Sequence, residues 1–180
     1  MRVLSCLAFE HHFPSVLLAG LICVISCLLS MRLQKRSEQS ESLVQVAWLV
    51  VTATCLSAGI WSTHFIAMLG YRPEASVNLN VDKTALSALI IMCGSLVGCY
   101  LATLKFALAR TLAGAVIGLS VTAMHYVGMM AYHLDAIVTW DLRYVAASIV
   151  LAVFFSALAF ESAQPHSKGF KRFVPGLWLT

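Results

Sequence analysis

Charge is what this sequence has least of. Only 11% of its 180 residues are Asp, Glu, Lys or Arg, where soluble domains carry about a quarter, so an ordinary water-facing surface is excluded. No C-x-x-C pair occurs among Cys6, Cys23, Cys27, Cys55, Cys93 and Cys99, which argues against a disulfide scaffold. Five of the six fall in apolar stretches, where a free thiol behaves as a small buried hydrophobe. The chain has no nucleophile–base pair, no phosphate loop and no cytoplasmic catalytic domain, so it reads as a non-enzyme. Its net charge of +4 does not point to nucleic acid, because the basic residues sit in connections rather than on a folded surface.

What remains is hydrophobic: 60% of residues, with a mean hydropathy of +0.86. Uncharged runs cover Phe13–Met31, Ser42–Tyr71, Thr84–Leu104, Thr111–Leu134 and Tyr144–Phe160. A bilayer core takes about 20 apolar residues as helix, and in lipid each backbone polar group must be satisfied within the protein. The expected fold is therefore all-α: a polytopic transmembrane bundle with five complete spans. Basic connections (Arg32, Lys35 and Arg36; Lys105 and Arg110; Lys168, Lys171 and Arg172) alternate with mixed ones containing Glu74, Asp82, Asp135 and Asp141. Basic loops stay cytoplasmic. The expectation is a multi-pass protein of a bacterial cytoplasmic (inner) membrane with its N-terminus outside. The first run is too long for a signal-peptide core and no A-x-A-like site follows it.

A repeat runs through these spans. "HFIAMLGY" (64–71) matches "HYVGMMAY" (125–132), with His, Met and Tyr identical and the other positions conservative. The copies are 61 residues apart, which is two helices and two loops, so the unit is a repeated helix pair. Each places a histidine seven residues before the closing tyrosine, about 10 Å below the outer surface at helical rise. His64 and His125 are expected in one layer. Met68 and Met129 each follow their histidine by four residues, on the same helix face.

These stretches, with "GIWSTHFIAML" (59–69), "AMHYVGMMAY" (123–132) and the His-bearing "FEHHFPSVLLAGLIC" (9–23), resemble the MHYT domain, a bacterial integral-membrane sensor module of seven helices with three Met-His-Tyr-Thr-like motifs. The resemblance covers nearly the whole chain. It implies copper bound by motif His and Met residues, here His64, Met68, Met124, His125 and Met129, with His11 as the N-terminal histidine. It also implies sensing of oxygen, carbon monoxide or nitric oxide, and a separate partner of the cyclic-di-GMP or histidine-kinase class. Thr63 stands where the family usually has Met, and Val127 where the name-giving Thr should be.

The residue types agree with that reading. Imidazole plus thioether is a soft, neutral set that suits Cu(I) better than magnesium or calcium, and no Asp or Glu lies near the layer. Met92 is expected at the same depth. His11 precedes Pro14 at a helix start and so lies nearer the surface than the other two histidines. Trp61 and Trp140 read as interfacial aromatics, and Gly94…Gly98 and Gly114…Gly118 as close-packing small residues. Two alternatives stay open: a haem-binding electron carrier with His64 and His125 as axial ligands, and a structural fragment whose histidines are only interhelical glue. A transporter would show charged or broken helices at the midplane, which these spans lack. Homo-oligomerisation is left open.

A third histidine on the 61-residue period would fall at about position 186, beyond Thr180. The expected division is residues 1–172 as the sensor domain and 173–180 as the start of a partial sixth span. On this view copper is held less tightly than in a complete module.

Overall fold

The computed structural model describes residues 12–70, 77–134 and 141–163. Within them five helices occupy the five uncharged runs: α1 (Phe13–Glu38), α2 (Ser42–Leu69), α3 (Val81–Thr103), α4 (Ala109–Ala131) and α5 (Leu142–Ser162). Each is long and apolar enough to cross a bilayer. The fold is the expected all-α bundle of five spans. His11, Trp140 and the expected sixth-span start at 173–180 lie outside the described residues.

Helix boundaries follow from local chemistry. Pro14 opens α1, where its missing N–H costs nothing. The backbone N–H of His12 donates to the Gly70 carbonyl at 2.8 Å, tying the start of α1 to the end of α2. Asn80 caps α3 by accepting from the Lys83 N–H at 3.0 Å, and Asp141 caps α5 by accepting from the Arg143 N–H at 3.0 Å. Side-chain hydrogen bonds from Arg143 hold the Asp141 carboxyl below its ordinary range.

The helices pack as a meander. Contact is most extensive between α3 and α4, then between α1 and α2 and between α4 and α5, with a smaller α2–α3 interface. Leu49, Ala53 and Leu56 of α2, Cys99 of α3 and Ile117 of α4 form the core. Both glycine pairs have assigned partners. A Cβ on Gly98 would run into the Ile117 side chain of α4 at 2.5 Å, and one on Gly118 would meet the Ala152 carbonyl of α5 at 2.7 Å. Small residues thus let three consecutive backbones close in, the main device of helix association in lipid. No residue of α5 is buried and half of α1 is exposed, giving the bundle an apolar perimeter. The thiols are less buried than expected. Cys99 is enclosed, whereas Cys23, Cys27 and Cys55 are half-buried and Cys93 is exposed.

One element had no counterpart in the sequence reading. β1 (Val77–Leu79) pairs antiparallel with β2 (Tyr132–Leu134), Asn78 opposite His133. This short ribbon joins the connection after α2 to the one after α4. The two motif helices therefore finish side by side at one end of the bundle.

Candidate functional site

At the ribbon end, about one turn short of the end of α2, His64 points across to α4. Its Nδ1 lies 3.3 Å from Nδ1 of His125, with ring centroids 4.9 Å apart and planes at 73°. The helices α2 and α4 barely touch elsewhere, so the two imidazoles bridge a gap between elements held apart by α3. His64 is half-buried and His125 exposed. Phe65 stands edge-on to His64 at 5.1 Å and Tyr126 edge-on to His125 at 5.2 Å.

The second nitrogen of His64 is the unusual one. Nε2 is buried without a hydrogen-bond partner, and it faces Gly128, where an added Cβ would come within 2.6 Å. Whichever ring nitrogen carries the proton, one polar atom stays unmet in an apolar setting, a cost of about 1–3 kcal/mol. A group that serves packing alone would not normally be left this way.

The remaining candidates are arranged as follows. Met124 is buried, 1% exposed, on the same α4 face as Gly128. Met68 and Met129 are half-buried, each one turn beyond its histidine. Among the described residues no three His, Cys, Asp or Glu side chains converge, so a metal here would have to draw on thioethers as well as the two imidazoles. The imidazole pair itself fits one ion: two nitrogens each about 2.0 Å from a tetrahedral centre lie about 3.3 Å apart.

One expectation is corrected. Met92 is not level with the histidines. Its sulfur accepts from the Ser57 hydroxyl at 3.5 Å, and Ser57 lies seven residues from His64, about 10 Å further into the bundle. The reason is that α3 starts at Val81, three residues before the uncharged run. Trp61, expected as an interfacial aromatic, turns to a neighbouring helix: it is half-buried, its indole N–H donates to Ser87 of α3 at 3.2 Å, and its ring lies 4.6 Å from Phe65. Thr63, in place of the usual Met, donates to the Gly59 carbonyl at 2.8 Å and lies 3.3 Å from the Ala19 carbonyl of α1.

Sequence reasoning missed Gly128, Ser87 and Ser148. The Tyr126 and Ser148 hydroxyls bond at 2.5 Å, linking α4 to α5 as Trp61–Ser87 links α2 to α3. Ser87 and Ser148 are separated by the repeat period, and both donate to the carbonyl three residues back, at 2.7 and 2.8 Å. The caps Asn80 and Asp141 share the period too, with identical φ −82° and ψ 110°. Extending the repeat comparison past residue 71 would have found both pairs.

The repeat matches a known family model, the MHYT bacterial signalling protein N-terminal repeat, twice, at residues 58–115 and 118–176. The chain belongs to the MHYT family. Curated relatives of this MHYT chain include a signaling protein of Caulobacter vibrioides, 33% identical over 84% of this chain and 19% of that protein. The cyclic di-GMP phosphodiesterase NbdA of Pseudomonas aeruginosa is 36% identical over 68% of this chain and 16% of its own length. The bifunctional diguanylate cyclase/cyclic di-GMP phosphodiesterase MucR of the same species is 30% identical over 72% of this chain and 19% of its own. The chain thus spans under a fifth of these relatives. No solved structure matches it significantly.

Proposed function

We propose that this MHYT chain is a sensory and binding module of a bacterial cytoplasmic membrane, without catalytic activity of its own, and that it binds Cu(I) between His64 and His125. The carrying observation is the 3.3 Å approach of the two imidazole Nδ1 atoms, the separation of two nitrogen ligands on one ion. Met68, Met124 and Met129 are the thioethers available to complete the set, and their neutrality limits the cost of a monovalent cation in lipid. Bound Cu(I) supplies a soft centre able to take up a diatomic gas such as oxygen, carbon monoxide or nitric oxide. The protein's part is to hold the imidazoles in register across the α2–α4 gap and to keep water from the inner one with Phe65 and Gly128. An apolar cleft lined by Phe65, Ile66, Leu69, Leu79 and Val81 offers a small apolar molecule a path to the other side of Phe65.

The signal passes to a cyclic di-GMP enzyme, the class of activity carried in the names of two relatives. The N-terminus is outside: Arg110 pairs with Glu38 at 2.8 Å, so the two basic connections share the end opposite the histidines, as cytoplasmic loops would. A haem between the imidazoles is disfavoured, because 3.3 Å leaves no space for a macrocycle. Competition against a chromophoric Cu(I) chelator tests the reading. The detergent-purified chain should retain one Cu(I) that the His64→Ala/His125→Ala double variant does not. Equal retention by both would overturn the proposal, and a Soret band in the purified protein would favour haem.

A further inference from the structure

At the end of the bundle opposite the histidine pair, residues of all five helices line a cavity of about 150 Å³. Its walls are largely apolar, formed by Cys27, Leu56, Cys99 and Phe160. The Arg110–Glu38 ion pair, 2.8 Å, also lines it. Two side chains in the wall are incomplete. Ser30 is 4% exposed and Gln34 9%, yet neither Ser30 Oγ nor Gln34 Oε1 has a hydrogen-bond partner.

The contrast with neighbouring hydroxyls is informative. Ser26, Thr52 and Ser120 each donate to the carbonyl four residues back, at 2.7, 2.7 and 2.8 Å, the usual way a helix absorbs a hydroxyl in an apolar medium. Ser30 does not. Gln34 commits its amide N–H to the Cys99 carbonyl at 3.1 Å, which leaves Oε1 as an acceptor with nothing to accept. Ser30 and Gln34 are i and i+4, so both groups look out from one face of α1.

We infer that this cavity is a binding site for an uncharged hydroxylated six-membered ring, a phenol or the head of a membrane quinol, whose hydroxyl donates to Gln34 Oε1 and accepts from the Ser30 O–H. One hydroxyl completes both groups. A volume near 150 Å³ is that of a cavity known to take benzene. A water could meet the same two atoms but would leave the apolar remainder empty. An anionic ligand would find Arg110 already paired with Glu38. The inference stands apart from the copper reading, since it uses other residues at the other end of the bundle.

Saturation-transfer NMR on the full chain in detergent, with phenol and toluene as probes, tests it. Toluene matches phenol in shape but lacks the hydroxyl. Phenol should bind at least about tenfold more tightly than toluene, the range expected for one or two buried hydrogen bonds. Ser30→Ala, which removes a single oxygen, should weaken phenol about fivefold and leave toluene unchanged. Gln34→Leu combined with Ser30→Ala should equalise the two probes, and Cys27→Phe, which fills the space, should abolish both signals. Equal binding of phenol and toluene to the unaltered chain would overturn the inference, as would no phenol signal at all or one that survives Cys27→Phe. A short-tailed quinol that displaces phenol identifies a membrane quinol as the source. Phenol binding that such a quinol leaves undisturbed identifies a free aryl alcohol, and either result supports the site.

Discussion

In the first repeat the motif imidazole is half-buried and its inner nitrogen lies against Gly128; in the second the imidazole is exposed. Sequence makes His64 and His125 equivalent, and in depth they are, since their Nδ1 atoms meet at 3.3 Å. The residue three after each histidine also differs, by one methyl group. Gly128 in the second copy lets His64 approach the α4 backbone. Ala67 occupies the matching position in the first copy, and His125 stays open. The repeat therefore fixes where the two imidazoles meet, while a local exception at Gly128 makes room for His64. The inner imidazole is the fixed partner and the outer one the accessible partner.

Adding bulk at the exception is the most direct way to break this asymmetry. Gly128→Val places side-chain carbon within van der Waals range of His64 Nε2, where even Cβ would sit 2.6 Å away. Overpacking of this kind costs about 1–3 kcal/mol. Thermal unfolding in detergent should show a loss of that size, accompanied by loss of Cu(I) retention. Ala67→Val, the matching change in the first repeat, should cost under half as much. Equal losses would mean that Gly128 does not set the difference.

The unmet nitrogen sharpens the comparison in the opposite direction. With metal removed by chelator, His64→Leu should leave the protein as stable as before or raise its stability by about 1 kcal/mol, because a buried polar atom without a partner is deleted. His125→Leu should stay within about 0.5 kcal/mol of the parent, as exposed positions usually do. If His64→Leu instead destabilises by more than about 1 kcal/mol, the imidazoles act as interhelical glue and the functional reading of the pair loses its support.

The parts that could be read from sequence are those governed by simple periods. Lipid demands helices of about 20 residues, so five charge-free runs gave five spans, and a shared distance from a closing tyrosine put two histidines in one layer. Side-chain partners across helices were not legible. Trp61 was read as interfacial because aromatic residues near span ends often are, yet Ser87 captures its N–H. Met92 was misplaced because its depth was counted from the start of the uncharged run rather than from the Asn80 cap. The ribbon had no signal beyond two short segments, Val77–Leu79 and Tyr132–Leu134, far apart in sequence. Gly128 looked like another small residue, and only its distance from His64 Nε2 distinguishes it.

Smaller effects should appear at the paired serines. Each repeat fastens its motif helix to the following helix through one of them, Ser87 by Trp61 and Ser148 by Tyr126. Ser87 is fully buried and Ser148 half-buried. Tyr126→Phe removes one hydroxyl and should cost about 0.6 kcal/mol, the average for interhelical hydrogen bonds in membranes. Trp61→Phe loses ring area as well and should cost more, about 1–2 kcal/mol. Unfolding midpoints in detergent would rank the two, and a larger loss for Tyr126→Phe would reverse the view that the first repeat is the more enclosed.

The smallest expected difference lies at the helix caps, where the repeats carry a neutral and a charged version of one device. Asn80 and Asp141 have the same backbone conformation and each accepts from a backbone N–H in the first turn of its helix. Asn80 has no carboxyl to titrate. The Asp141 carboxyl is held below its ordinary value of 3.8 by the Arg143 side chain and backbone N–H. A carboxyl whose folded pKa is lowered contributes stability that is present above its unfolded pKa and is lost as pH falls through the folded value. The start of α5 should therefore loosen as pH drops below about 3.8, whereas the start of α3 should not respond. Amide hydrogen exchange at Val145, compared with Thr84, would measure this between pH 5 and the acid limit of the detergent sample, after correction for intrinsic rates. Asp141→Asn should make the α5 start as insensitive to pH as that of α3, since Asn serves as an N-cap about as well as Asp. If the two starts loosen together in the unaltered protein, the acid response belongs to the bundle as a whole, and the cap charge is not its cause.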